Sequence, residues 1–306
     1  MNASEHEEPP EKAQKNLGAK LLHSAIARII LGSVSIFLVS LIPKWIFEPL
    51  LLSIGLEVDT AKTIRCILTL AAILSTYYWL FTYYERRKVT ELAKGYFLKD
   101  SLLGVILAFL SISTVILTLY IGGHYQIVVV NNGVLRLLFP LVVLALLATL
   151  EELIFRGVLY RTIESRLGTN LALIISGLFF GLSHITNEHA TIISVLGAGI
   201  GGLIAGIMFS ATKRLWLPIS FHVMWNFMQV FYGTQVFGLD EFSGYSLFQG
   251  RLQGPELITG GAFGPENSII TIILTLIIFG VFYFVARKND RLSPPFWMIK
   301  EQTQEF

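Results

Sequence analysis

Residues 141–161 read LVVLALLATLEELIFRGVLYR, an apolar run that contains two adjacent glutamates and ends among basic residues. The hydrocarbon core of a bilayer is about 30 Å thick and needs roughly 20 mostly apolar residues per helix, so this run predicts a membrane-spanning helix. Its two glutamates, Glu151 and Glu152, lie well inside the helix. A carboxylate at membrane depth is costly and usually faces a bundle interior or a wet cavity. The stretch therefore predicts a membrane fold with a polar site inside it.

The composition of the whole chain also indicates a membrane protein. Of 306 residues 54% are hydrophobic and 14% are charged, and the mean hydropathy is +0.65, which is too apolar for a soluble globule. The sequence predicts an all-α polytopic integral membrane protein with about eight transmembrane helices in one bundle. These segments lie near residues 25–42, 64–83, 102–121, 137–157, 171–187, 191–211, 216–235 and 268–286.

The positions of the basic residues predict the orientation. Most of the 23 Lys and Arg residues fall in connections that would share one side of the bilayer, and basic residues favour the cytoplasmic side. We expect a polar cytoplasmic tail over residues 1–20, a transmembrane domain over 21–287 with its motif core at 137–235, and a cytoplasmic tail over 288–306. The net charge of +2 is small and dispersed, so nucleic acid is not expected as a partner.

The fourth predicted helix carries the strongest candidates for chemistry. Glu152 and Arg156 are four residues apart and share a helix face, which predicts an ion pair that offsets the burial of both. Glu151 points about 100° away around the helix and is left freer, so we assign it to chemistry. The alternative is a purely structural ion-pair cluster near the membrane interface, with Glu151 reaching towards water.

The fifth predicted helix carries His184, with Gly177 and Gly181 before it on nearly the same face. Small residues at this spacing let a neighbouring helix approach closely, which would bring a partner near the imidazole. A histidine in such a place can equally be a hydrogen-bonded packing residue.

The sixth and seventh predicted helices differ in character. The sixth is dense in glycine and is interpreted as a packing helix without chemistry of its own, with two small-residue pairs formed by Gly197, Gly201, Gly202 and Gly206. The seventh has a polar stripe of His222, Asn226, Gln229 and Gly233 on one face. An imidazole and an amide one turn apart can stabilise a developing oxyanion, although interhelical hydrogen bonding alone could account for Gln229.

Hydrolysis by an activated water fits these polar residues. The four aspartates lie outside the predicted helices, and the HExxH and GxSxG motifs are missing, which argues against aspartyl, zincin and serine-elbow mechanisms. A carboxylate can accept a proton from water, and a histidine and an amide can hold the oxyanion. Glu151, His184 and His222 could alternatively bind zinc. Asn226 favours the metal-free version, since an amide is a poor zinc ligand.

Three motifs on three predicted helices resemble one known family. EELIFR at 151–156, FGLSH at 180–184 and HVMWN at 222–226 are similar, in order, to the EExxxR, FxxxH and HxxxN motifs of the CPBP family. That family contains the type II CAAX prenyl endopeptidases, the Abi proteins and bacteriocin-processing or immunity proteins.

The resemblance implies a role for each motif residue. Glu151 and His184 would activate the water, Glu152 and Arg156 would support them, and an oxyanion site would be formed by His222 and Asn226. It also implies a substrate class, because the eukaryotic members act on prenylated carboxy-terminal CAAX proteins. Nothing in the sequence itself indicates a prenylated substrate.

The leading hypothesis is an intramembrane endopeptidase that hydrolyses a peptide bond of a membrane-associated substrate, of CAAX type or other. Its partners would be a membrane-anchored protein or peptide and the lipid bilayer, and its location a bacterial plasma membrane. It requires no cofactor, with zinc as the open alternative. One rival is a non-proteolytic membrane partner or bacteriocin-immunity protein of the same family. Another is a transporter whose polar residues line a solute path.

Two geometric expectations can be checked in a structure. The segment ends drawn above put His184 at a different depth from Glu151, whereas the water-activating role needs one water to bridge them. The connection at 236–267 is rich in Gly and aromatics and is either a functional lid or binding loop, or a flexible surface excursion.

Overall fold

The computed structural model describes residues 24–238 and 241–298. Its helices are α1 Ala25–Ser53, α2 Val58–Tyr83, α3 Phe97–Ile121, α4 Leu138–Glu152, α5 Arg161–Ser183, α6 Ile192–Thr212, α7 Trp216–Phe231, the short α8 Glu256–Thr259 and α9 Ile269–Lys288. Between α4 and α5 the chain forms a π-helical segment, Leu153–Tyr160. The predicted tail at 1–20 and the end of the predicted C-terminal tail lie outside the described residues.

The all-α, multi-pass membrane fold is confirmed, but the count of eight is not. Among the described residues six helices are long and apolar enough to cross a membrane. The predicted fourth and fifth helices form one 50-residue helical stretch, Val134–Ser183, and α7 has only 16 residues. That stretch bends at Gly168, whose φ of 76° is non-helical. A Cβ atom there would lie 2.7 Å from the Ser293 carbonyl oxygen, so only glycine fits the bend.

Helix α6 lies at the centre of the bundle. Half of the most apolar 18-residue stretch of α6 is buried, against 11% for the corresponding stretch of α1 and 17% for that of α9. Those two helices lie at the periphery and turn most of their apolar side chains outward. In a membrane protein such outward apolar surface is covered by lipid. The sequence of α6 allows this central place, since its glycines and alanines admit neighbours on several sides.

The close packing predicted for α5 against α6 is confirmed, but only part of α6 takes part in it. A Cβ atom on Gly181 would lie 2.5 Å from the Val195 carbonyl oxygen, and one on Gly202 would lie 3.0 Å from the Gly177 Cα. By contrast, a Cβ atom on Gly201 would meet nothing within 4 Å. The pair formed by Gly197 and Gly201 therefore does not pack closely as predicted, and its face of α6 is open, whereas the pair formed by Gly202 and Gly206 does pack.

A two-stranded antiparallel sheet was not predicted from the sequence. It pairs β1, Tyr125–Val130, with β2, Phe248–Leu252, and has an irregularity between Ile127 and Val129. The Tyr125 hydroxyl donates to the Tyr232 carbonyl at 2.7 Å. The sheet thus joins the α3–α4 connection to the loop between α7 and α9, and it fixes one part of that loop beside the end of α7.

Candidate active site

The candidate site begins where α4 becomes π-helical, directly after Glu151 and Glu152. A π turn bonds residue i to i+5 and is often found at functional sites. Here the Gly157 carbonyl accepts hydrogen bonds from Arg161 Nε at 2.9 Å and from the Tyr77 hydroxyl at 3.1 Å. A Cβ atom on Gly157 would lie 2.6 Å from the Tyr77 ring. Glycine is therefore needed for this contact, which helps to hold the segment in its altered helical form.

Glu152 and Arg156 form the ion pair that their spacing predicted. Arg156 Nη1 lies 2.8 Å from Glu152 Oε1, and both side chains are 0% exposed. Arg156 Nη2 also donates to the Gly202 carbonyl at 2.9 Å, and its guanidinium lies 4.5 Å from the centre of the Phe180 ring. The pair is thus held by α6 as well as by its own helix, so α6 contributes a polar contact that was not expected.

His222 lies between the two glutamates. Its Nδ1 is 3.0 Å from Glu152 Oε1, and its Nε2 is 3.9 Å from Glu151 Oε2. The Glu151 side chain is 34% exposed while that of Glu152 is fully buried. Glu152 therefore orients the imidazole. Glu151 is the less enclosed of the two side chains, and its Oε2 atom is buried without a hydrogen-bond partner among the described residues. The division of the two glutamates into one buried and one accessible group agrees with the sequence interpretation.

Asn226 lies one turn beyond His222 on the same helix and is 5% exposed. Its Oδ1 is buried and has no hydrogen-bond partner among the described residues. A buried polar atom without a partner is costly, so such atoms in a native structure call for an explanation. A bound water or a substrate group would supply the missing hydrogen bond.

His184 caps the end of α5 and lies between two aromatic rings. Its Nδ1 is 2.9 Å from the Phe180 carbonyl oxygen. Its ring is 4.9 Å from the Phe180 ring and 4.6 Å from the Phe237 ring. Phe180 also contacts His222, with ring centres 6.0 Å apart, so the three motifs meet around Phe180. Within the described residues Glu151 and His184 share no hydrogen bond or ion pair, and a bridging water between them stays a prediction.

Zinc binding by Glu151, His184 and His222 stays a prediction. No group of three His, Cys, Asp or Glu side chains in residues 24–238 and 241–298 is arranged to hold a metal ion. The Nδ1 atoms of His184 and His222 contact the Phe180 carbonyl and Glu152, which leaves each Nε2 as the nitrogen that can meet a water or a metal ion. A zinc ion coordinated by Glu151 and both histidines would need these side chains to move.

The segment that carries the motifs is similar to a known family. Residues 131–228 match the family model described as "Type II CAAX prenyl endopeptidase Rce1-like", a segment that contains all six predicted site residues. The resemblance to the Rce1-like family is confirmed over this segment. A relative from Bacillus subtilis (strain 168), described as "Putative membrane peptidase YdiL", is 30% identical over 77 residues, which are 25% of this chain and 30% of the relative. No solved structure gives a significant match.

A cavity of about 60 Å³ lies beside the Rce1-like motifs, and its lining includes Glu152, Arg156 and His222. That volume has room for a few water molecules. One wall is the open face of α6 with Gly197 and Gly201. Their missing side chains leave the space next to the polar cluster empty.

The far side of the cavity is formed by residues outside the Rce1-like segment. The loop at 236–267 contributes Phe237, Phe263 and Glu266 to the lining, so it is a structured cover in this part and not a free excursion. Burial raises the pKa of Glu266 to about 7. Sequence reasoning missed Glu266 because it searched only inside the apolar segments. The sequence feature that could have indicated it is its position two residues before the last predicted apolar segment, where a helix begins.

Proposed function

We propose that the protein is an intramembrane endopeptidase in which Glu151 activates a water for attack on a peptide bond of a membrane-associated substrate. The observation that carries the proposal is the position of His222, whose two ring nitrogens face two glutamates of unequal burial beside a cavity. The family resemblance supports the same reaction class. The matched relative is covered over less than a third of its length, so the proposal rests mainly on this geometry and its chemistry.

In the proposed reaction, Glu151 accepts a proton from water as the water oxygen bonds to the carbonyl carbon of the substrate. His184 orients that water, because the Phe180 carbonyl holds its ring in a fixed position. The C–N bond then breaks, and the protonated Glu151 returns its proton to the leaving amine. Proton transfer of this kind contributes about 10²- to 10⁴-fold in rate.

The tetrahedral oxyanion would be held by His222 and Asn226. With Nδ1–H directed at Glu152, the ring can donate from Nε2 only as imidazolium, and the glutamates beside it supply the compensating negative charge. Donors fixed before the reaction stabilise developing charge without further reorganisation. The Glu152–Arg156 pair keeps His222 in this orientation.

The direct test is cleavage by the purified protein in liposomes. The panel contains membrane-anchored peptides with a prenylated CAAX end, the same peptides unprenylated, and unrelated transmembrane peptides, with products read by mass spectrometry. We expect cleavage of at least one class, unchanged by a zinc chelator. Loss of cleavage on adding the chelator, followed by its recovery on adding zinc, would contradict a reaction without a metal. Solute flux without cleavage of any peptide would favour a transporter and refute the protease.

Gly201→Leu is expected to lower cleavage by at least about tenfold without harming the fold, because a Cβ atom there meets nothing within 4 Å and a longer side chain would fill the cavity beside His222 and displace the groups that line it. Its neighbour provides a matched control. A Cβ atom on Gly202 would lie 3.0 Å from both the Gly177 Cα and the Phe180 Cβ, so Gly202→Ala should lower stability by about 1–3 kcal/mol. Cleavage rate and thermal unfolding in detergent are measured for both. A Gly201→Leu protein that cleaves normally would exclude this cavity as the substrate site.

A further inference from the structure

Phe237 is held in a backbone conformation that a bulky residue rarely adopts. Its φ is 50°, in the left-handed region. Both of its backbone polar atoms are engaged, since the N–H donates to Glu266 Oε1 and the carbonyl accepts from Asn187 Nδ2 at 3.3 Å. Such a conformation persists only where surrounding contacts over-determine it. The contacts to Glu266 and Asn187 hold its backbone directly, and the next residue is held as well, since the Gly238 N–H donates to the Phe263 carbonyl at 2.8 Å.

Glu266 connects this residue to the helix that carries the site. Its carboxyl is buried, and its Oε2 accepts from Gln229 Nε2 at 3.1 Å. Gln229 is fully buried on α7, two turns beyond His222 and close to the same helix face. One carboxyl group therefore binds α7 with one oxygen and the loop at Phe237 with the other. Without it, the Phe237 N–H would lose its partner and its backbone would be free to relax.

A change in the position of Phe237 would affect the ring of His184. Its ring has Phe180 on one side, 4.9 Å away, and Phe237 on the other, 4.6 Å away. The Phe180 carbonyl already fixes its Nδ1. Within the described residues its Nε2 makes no hydrogen bond, so Nε2 is the nitrogen left to meet a water. The direction of Nε2 depends on the Phe237 ring staying in place.

We propose that Glu266 is a positioning residue, which holds Phe237 in its left-handed conformation so that the Phe237 ring fixes the imidazole of His184. The effect on rate rests on the proposed protease function, whereas the effect on the His184 ring does not. The two can therefore be tested separately.

The first experiment needs no substrate. The ring resonances of the six histidines are recorded by NMR in isotope-labelled protein in detergent, with His184 assigned by substitution. Glu266→Leu and Phe237→Leu should both shift the His184 signals. Glu266→Gln should not, because its amide oxygen still accepts from Phe237, and its amide nitrogen can donate to Gln229 Oε1, which has no partner. Glu256→Leu, an exposed glutamate in the same loop, is the matched control. Unshifted His184 signals in Glu266→Leu would overturn the proposal.

The second experiment uses a peptide that the wild-type protein cleaves. Glu266→Leu and Phe237→Leu should each lower kcat about tenfold with KM changed by less than about twofold, and the double variant should fall no further, since both act along one path. Glu266→Gln should keep most of the activity. Additive losses, or a raised KM with unchanged kcat, would make Glu266 a substrate contact and refute the positioning role. Shifted His184 signals without cleavage of any peptide by the wild type would refute the protease proposal alone.

The variant Phe237→Gly tests the proposal if Glu266→Leu alone does not fold. Glycine adopts positive φ without help, so Phe237→Gly removes the need for the Glu266 contact. Phe237→Gly should reproduce the His184 shift with Glu266 in place, and adding Glu266→Leu to it should change the His184 signals no further. A further shift on adding Glu266→Leu would show that Glu266 acts on His184 by another route and would overturn the proposal.

Discussion

Glu151→Gln is expected to abolish peptide cleavage while leaving the protein folded. Glutamine keeps the size of the side chain but cannot accept the proton of the attacking water, so the rate should fall by about 10²- to 10⁴-fold. The fold should tolerate the change, because Glu151 is 34% exposed and its one ionic contact, to His222, is 3.9 Å long. A stability change within about 0.5 kcal/mol is expected for such a side chain.

The measurement is cleavage in liposomes together with thermal unfolding in detergent. Glu188→Gln, an exposed glutamate in the turn after α5, is the matched control and should cleave normally. If Glu151→Gln cleaves at the wild-type rate, the base is another group, and the roles given to His222 and Asn226 lose their support as well.

Arg156→Met should produce the largest loss of stability. It removes the partner of Glu152 while the carboxylate stays fully buried, 0% exposed, and breaking one half of a buried ion pair costs about 3–5 kcal/mol. It also removes the hydrogen bond to the Gly202 carbonyl. His222 would then be held by a carboxylate whose own position is no longer fixed, so cleavage should fall even in the fraction that folds.

A second variant separates charge burial from catalysis. Glu152→Gln combined with Arg156→Met removes both charges, and it should recover much of the stability but not the activity. Arg65→Met is the control, because the Arg65–Glu48 pair is partly exposed, 17% and 20%, and such pairs contribute about 0–1 kcal/mol. Equal unfolding temperatures for Arg156→Met and wild type would show that the pair contributes little to stability.

The features that the sequence predicted well depend on spacing within one helix. Four residues from Glu152 to Arg156 put their side chains on one face whatever the rest of the chain does, and the ion pair is found. The same holds for Gly177 and Gly181 against α6, and for His222 and Asn226 on α7. Local periodicity decides these contacts, so a single sequence was enough to place them.

The features that the sequence missed depend on where distant segments meet. Gly201 was expected to pack, but whether a glycine meets a neighbour or a cavity is decided by the partner helix. Glu266 is brought to the site by a loop that returns over α7, and no local pattern encodes that path. Among the described residues six helices are long and apolar enough to cross a membrane, because the predicted fourth and fifth helices run together across the kink at Gly168 and α7 has only 16 residues.

The π-helical segment at Leu153–Tyr160 has a consequence for how this protein can vary. A π turn holds about one residue more than an α turn, and each residue rotates a helix by about 100°. Deleting one residue there would relax the segment towards α geometry and rotate the first part of α5, up to the kink at Gly168, relative to α4. Substitutions that keep Gly157 preserve the rotation of α5, whereas a one-residue insertion or deletion does not. We therefore expect related proteins to keep Arg156 and Gly157, to vary at the apolar positions of this segment, and to share its length of eight residues.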